Sequence, residues 1–225
     1  VPAASLTARY ALPAEEIERR SLAMVEAALP SCSGWTSEAR ELVKRMVYAA
    51  GDLAIAGLVR VHPEAVTAGL AALRARAPIV CDVRMVAAGL RAYEGRVKVA
   101  VDAQREAQRA PRPELAEPAV APLPAGQERA TRVAQGIAAL QPELDGGVAV
   151  IGNAPTALLA LLDLIDAGRC APALIVATPV GFVAAAEAKQ ELTRRDVPYI
   201  TVEGTRGGSP LAAAALNALL ILAGQ

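Results

Sequence analysis

Apolar positions recur at helical spacing through the first third of the chain. The stretch from Leu12 to Leu29 opens with Pro13 and the acidic pair Glu15 and Glu16, residues that suit a helix N-terminus. Thr36 or Ser37 can cap a second helix, in which Leu42, Met46, Val47 and Ala50 fall on one face. That pattern predicts a helix running to about Leu58, and a third helix is expected from Pro63 to Arg76. Beyond this point short β-branched runs take over: Ile79–Cys81, Val97–Val101, Val148–Ile151, Ala173–Val176 and Tyr199–Val202. Helical patterns separate most of them. Short apolar strands alternating with helices imply parallel strands covered on both faces. The expected fold is therefore α/β: an open, mostly parallel sheet with helices on both faces and a helical N-terminal segment. Residues 1–225 are expected to form one domain, interrupted by a proline-rich surface loop over 106–124.

One local pattern occurs three times. The strand ending at Ile151 runs into Gly152-Asn153-Ala154-Pro155. The strand ending near Ala177 runs into Thr178-Pro179-Val180-Gly181, and the strand ending at Val202 runs into Gly204-Thr205-Arg206-Gly207-Gly208-Ser209-Pro210. Each offers a small polar capping candidate with proline at or near the first helical position. In a parallel sheet the three turns share the edge outside the carboxyl ends of the strands, where such sheets bind ligands. Three helix starts there would present unpaired N–H groups and positive dipole ends to an anion. The plainer alternative is that Asn-, Thr- and Ser-Pro turns are ordinary helix-start punctuation.

Composition narrows the choices. Acidic and basic residues balance at 23 each, so no global field favours nucleic acid or an anionic membrane. Any anion must be held by locally placed groups. The cysteines Cys32, Cys81 and Cys170 are scattered, with no CxxC spacing and a single histidine to join them, so no metal site is expected. Reduced thiols and a cytoplasmic location are the simplest expectation. The first residues, Val1 to Arg9, lack the basic region and apolar run of a secretion signal. The apolar stretch Leu211–Gly224 contains Asn217, is too short to span a bilayer, and reads as a buried helix. Aromatic residues make up only 3% of the chain; Phe182 and Tyr199 are expected in the core.

The three turns also carry a family resemblance. Gly147 to Thr156, Pro179 to Val183 with the following Ala-Ala-Glu187-Ala-Lys189, and Arg206 to Ser209 before an Ala-rich helix with Asn217 resemble segments of the precorrin-8X methylmutases. Pro78 to Gly89, Ala130-Thr131-Arg132, and Ser21 after Ile17-Glu18-Arg19-Arg20 are similar to further family segments, in the same order. The resemblance implies an isomerase that moves a methyl group from carbon 11 to carbon 12 of precorrin-8X or its cobalt analogue. It implies no cofactor, a corrinoid tetrapyrrole substrate carrying several carboxylates, and a homodimer with the pocket near its interface. It also implies a proton-handling histidine in the second helix. The matching position in Arg45-Met46-Val47-Tyr48-Ala49-Ala50-Gly51-Asp52 holds Tyr48.

On this resemblance Tyr48 is the catalytic candidate. A phenol with a reference pKa of about 10 can donate a proton at pH 7, as a weaker acid than imidazolium at about 6.5. Arg45, three residues earlier on the same face, could lower its pKa. Other readings leave Tyr48 filling space beside the substrate, or marking a non-catalytic corrinoid-binding paralogue. The expected substrate contacts are Ser21, Arg45, Asp82, Arg132, Asn153, Thr178, Gly181, Arg206, Gly207, Gly208 and Ser209. Arg132 and Arg206 are the leading carboxylate partners, because a guanidinium fork matches a carboxylate. Gly207 and Gly208 would let backbone amides approach closely. Asp82 reads equally as a helix cap, and Glu187 and Lys189 as either a dimer contact or a solvated pair. His62, before Pro63 and Glu64, reads as a helix-start or surface residue. A third reading, an unrelated α/β enzyme holding a nucleotide phosphate at the Gly-Gly-Ser turn, lacks a complete phosphate-binding fingerprint.

Overall fold

A computed structural model describes residues 5–6, 11–30, 34–109 and 131–225. Helix α1 spans Ala14–Ala28 and α2 spans Ser37–Ala50. The Thr36 hydroxyl caps α2 by accepting from the Ala39 N–H at 3.2 Å. This helix is shorter than its apolar pattern predicts. Gly51 takes a left-handed conformation (φ 62°) and caps the helix, and its N–H returns to the carbonyls of Val47 and Tyr48. A 3₁₀ turn at Leu53–Gly57 follows, started by the Asp52 carboxylate accepting from the Ala54 N–H. The chain then enters a strand the sequence pattern does not announce, β1 at Val59–Val61.

Alternation follows, with α3 (Ala65–Arg74), β2 (Ile79–Cys81), α4 (Arg84–Ala88), β3 (Val97–Val99) and α5 (Ala100–Arg109). After the undescribed residues come α6 (Arg132–Ala139), α7 (Gln141–Leu144), β4 (Val148–Ile151) and α8 (Pro155–Asp166). The chain closes with β5 (Leu174–Ala177), α9 (Ala185–Thr193), β6 (Tyr199–Val202) and α10 (Ser209–Ala223). Residues 106–109 of the expected proline-rich loop belong to α5, and 110–124 lie outside the described residues.

Among the described residues the strands form one sheet in the order β1-β6-β5-β4-β2-β3. All pairs are parallel except β1 with β6. Alternate residues of β2, β4, β5 and β6 feed two separate cores. Val148 and Val150 of β4 pack with Leu42, Met46, Leu73, Leu216 and Leu219 on one face. Ala149 and Ile151 pack with Ile137, Leu158, Leu161 and Leu192 on the other. Burial on both faces is why these strands read as continuous apolar runs. Helix α10 is the apolar helix expected at the end of the chain, and Leu211, Leu216, Leu219 and Leu220 are almost wholly buried.

The second face requires a close backbone approach. A Cβ added to Gly136 in α6 would stand 1.9 Å from the carbonyl oxygen of Ala100, the first residue of α5. Alanine gains about 1 kcal/mol of helix propensity over glycine, but overpacking against rigid backbone costs about 3 kcal/mol. Gly136→Ala is therefore expected to destabilise. In a chain of this size the melting temperature should fall by roughly 6 °C in a thermal denaturation.

Candidate active site

The strand order reverses between β2 and β4, because the chain goes from β2 outward to β3 and then returns past β2 to β4. Ligand crevices of open parallel sheets lie outside the carboxyl ends of the strands at such a point. A cavity of about 280 Å³ opens there, lined by Val83, Arg84, Met85, Val101, Arg105 and Asn153. Asp102, at its rim, is gripped by Arg84 through both carboxylate oxygens, at 2.9 and 2.7 Å. That hydrogen bond holds the Asp102 carboxyl below the usual range.

The floor of the crevice is built by Asp82. It is wholly buried, and its carboxylate accepts from the N–H groups of Gly152 (3.1 Å), Asn153 (2.8 Å), Ala154 (2.8 Å) and Val83 (2.9 Å). One side chain thus ties β2 to β4 across the switch point and serves the amides before α8. Burial pushes its carboxyl up, against the pull of these four donors. The expectation that this turn offers free N–H groups to an anion is corrected accordingly: Asp82 supplies the anion, serving the start of α8, distant in sequence, and leaving the next helix, α4, without a side-chain cap. Asn153 does not cap α8 but is exposed on the crevice wall.

The second turn also departs from its expected form. Thr178 is wholly buried, its hydroxyl donates to the Gly208 carbonyl at 3.1 Å, and its carbonyl accepts from the Gly208 N–H at 2.6 Å. With the hydroxyl committed to the third turn, Thr178 neither caps a helix nor reaches the surface, and α9 begins only at Ala185. Gly181 continues the lacing, its N–H donating to the Thr205 carbonyl at 3.1 Å. Phe182, expected in the core, is 94% exposed on the loop before α9, beside the exposed Val180 and Val183. Tyr199 is partly buried against the second core.

In the third turn a Cβ at Gly207 would lie 2.2 Å from the Thr178 carbonyl oxygen, so glycine is what lets the two turns meet. Gly208 and Ser209 are buried at the start of α10, and the Ser209 hydroxyl has no hydrogen-bond partner among the described residues. Neither Ser209 nor any other side chain caps this helix. Arg206 is exposed, and its guanidinium donates to the Asp52 carboxylate at 2.6 Å.

That contact shows what β1 does. Val59 pairs with Val202 and Val61 with Ile200, so β1 enters the sheet at the edge where the parallel strands end. The antiparallel strand thereby delivers the end of α2 to the carboxyl edge of the sheet, beside β6. Tyr48, four residues before Asp52 and 40% exposed, comes with it. The same direction carries His62 to the opposite edge. There its Nδ1 accepts from the Glu64 N–H at 3.2 Å, its Nε2 lies 3.6 Å from Asp196, and its ring packs 5.5 Å from that of Tyr199. Its role is the turn before α3.

The remaining candidates divide. Arg132 is exposed in the first turn of α6, whose start is joined to that of α8 by the 2.8 Å contact between Thr131 and Thr156 hydroxyls. Arg45 donates to Glu41 (2.9 Å) and Glu18 (3.3 Å), and those two carboxylates occupy the guanidinium expected to serve Tyr48. The Ser21 hydroxyl donates to the Ile17 carbonyl within α1 at 2.7 Å. Glu187 is exposed, whereas Lys189 is 1% exposed and donates to the Arg206 carbonyl at 2.6 Å, correcting the expectation of a solvated pair. Arg84 and Arg105, which sequence reasoning passed over, are the basic residues of the crevice wall. Among the described residues no cluster of three His, Cys, Asp or Glu side chains could hold a metal ion, and no helix is long and apolar enough to cross a membrane.

Comparison with known proteins agrees with this geometry over nearly the whole chain. The Pseudomonas aeruginosa precorrin-8X methylmutase is 41% identical over 212 residues, covering 93% of this chain and 96% of that protein. The Priestia megaterium cobalt-precorrin-8 methylmutase is 36% identical over 217 residues, covering 93% and 88%. A solved structure of the Thermus thermophilus precorrin-8X methylmutase superposes with a TM-score of 0.78 at 34% identity, covering 93% of this chain and 96% of that one. The family model described as precorrin-8X methylmutase matches residues 16–222, and with that extent of agreement the chain belongs to the precorrin-8X methylmutase family.

Proposed function

We propose that this protein is an isomerase of cobalamin biosynthesis that moves a methyl group from carbon 11 to carbon 12 of precorrin-8X or cobalt-precorrin-8. Relatives bearing both names match the chain along most of its length. The observation that carries the site assignment is the meeting of α2 with the third turn. Asp52, two residues past the end of α2, holds Arg206 at 2.6 Å, which supports assigning Tyr48 of the last turn of α2 to the carboxyl edge of the sheet. In this reading residues 1–225 act as one catalytic domain in the cytoplasm.

The migration is intramolecular and redox-neutral, so the protein has two tasks: to hold the macrocycle and to move a proton. The phenol of Tyr48, in the place of the histidine the family resemblance implies, lends a proton to ring C as the methyl group leaves carbon 11 and takes one back from the substrate once it has reached carbon 12, so the net change is an isomerisation. Arg84 and Arg105 of the crevice wall, with the exposed Arg132 and Arg206 at other helix starts and turns, meet the substrate carboxylates, with guanidinium forks matched to carboxylate geometry. Asn153 of the crevice wall, with the backbone of Gly181 and Gly207, supports the ring, and the buried Gly208 and Ser209 hold the third turn behind them. A volume of about 280 Å³ is small for a tetrapyrrole, so the crevice takes one edge of the macrocycle. The working unit is a homodimer, in which a second copy covers the exposed loop of Val180, Phe182 and Val183.

The second reading, a paralogue that binds corrinoid without turnover, draws on the phenol at position 48 and on Arg206 and the crevice arginines, which would bind carboxylates in either case. Product analysis separates the two. The isomerase gives a product of unchanged mass and altered visible spectrum. A bound substrate recovered chemically unchanged supports the binding protein, and a product of altered mass sinks the isomerase reading.

A further inference from the structure

The buried face of α9 is formed by Ala185, Ala188, Lys189 and Leu192, the spacing of a core stripe with a lysine in one core position. Lys189 is 1% exposed, and among the described residues no carboxylate lies within ion-pair distance of its ammonium. Burial pulls that ammonium down from 10.5 to about 8, so the fold disfavours its charge. An apolar side chain would suit the position better on packing grounds alone. Its hydrogen-bond partner gives the reason for its presence: Nζ donates to the carbonyl of Arg206 at 2.6 Å.

The turn that carries Arg206 has no regular secondary structure to support it. Its downstream end is held by Thr178 through the Gly208 N–H and carbonyl, and its upstream end by the Gly181 N–H on the Thr205 carbonyl. Between these, Lys189 fixes the Arg206 backbone from inside while Asp52 holds the guanidinium from outside. A cavity of about 230 Å³ lies between α9 and the start of the turn, lined by Lys189, Gln190, Thr193, Thr201, Glu203 and Gly204. Without the ammonium the turn has room to sag into it.

We propose that Lys189 is a positioning residue for substrate binding, whose bond to the Arg206 carbonyl aims the Arg206 guanidinium at a substrate carboxylate. This inference rests on the proposed isomerase function. It predicts an effect on KM and not on kcat, because a carboxylate contact that does not change as the methyl group migrates acts equally on ground and transition states.

The test is Lys189→Met, which keeps the length of the side chain and removes the donor, studied beside Arg206→Ala and the double variant in the full chain. K189M should raise KM about tenfold with kcat within about threefold of the unmodified protein, and its melting temperature should be unchanged or higher. R206A should raise KM similarly, and the double variant should be no worse than R206A alone, since the two residues act in series. An unchanged KM in K189M, independent multiplying effects in the double variant, or a K189M protein that melts lower or fails to fold would each overturn the proposal. An unmodified protein that converts neither substrate would instead sink the proposed function itself, so the two failures are distinguishable.

Discussion

Tyr48→Phe is expected to lower kcat about 100-fold while leaving KM within a few-fold. The substitution removes one oxygen and keeps the ring, so packing at the end of α2 is preserved. A positioned general acid contributes about 10²–10⁴-fold, and a phenol, the weaker acid, belongs at the low end of that range. Because Tyr48 is 40% exposed and its ring is retained, the melting temperature should not move. The companion variant Tyr48→His is expected to turn over faster than the unmodified protein. It should also acquire a pH dependence centred near the reference value of about 6.5 for imidazole, with activity falling as pH rises and the donor is lost. A Tyr48→Phe protein with unaltered kcat would show that the phenol only fills space.

The second large effect is structural. Asp82→Ala should destabilise the protein by about 4 kcal/mol. Three amides before α8 and that of Val83 would lose their acceptor, and a buried unsatisfied donor costs about 1–3 kcal/mol. A domain stable by about 5–15 kcal/mol loses a large share of its margin this way. For a chain of 225 residues the melting temperature should fall by roughly 8–16 °C. Asp82→Asn should lie between the two proteins, since the amide oxygen can still accept while its NH₂ group confronts an N–H. The thermal melt is the measurement that decides, and an Asp82→Ala protein as stable as the unmodified one would show that the switch point does not depend on this carboxylate.

The fold was legible where burial alone dictates residue type. Strands β2, β4 and β6 lie where the β-branched runs place them, because strands covered on both faces must be apolar throughout. The edge strand β1 was not legible. Val59-Arg60-Val61 is three residues long and continues an apolar pattern that reads as helix, although the left-handed Gly51 and the 3₁₀ turn at Leu53–Gly57 separate the two. That omission mattered for the site, since β1 determines which edge receives Tyr48 and which receives His62. The Asn-Pro, Thr-Pro and Ser-Pro turns located the crevice edge but suggested the wrong local chemistry. The amides of the first are served by Asp82, distant in sequence, and Thr178 is spent on Gly208. Lys189 and Phe182 invert the usual rule, with the charge inside and the aromatic ring outside. Pattern reading assumes that polarity follows burial, and these two residues break that assumption beside the proposed site.

The most direct test of the account is the visible spectrum of precorrin-8X, followed in a single turnover after addition of excess purified protein. The account predicts conversion to the spectrum of hydrogenobyrinic acid at unchanged mass, at a rate that falls about 100-fold in Tyr48→Phe. No spectral change with either precorrin-8X or cobalt-precorrin-8, with the protein folded and the substrate bound, would contradict it.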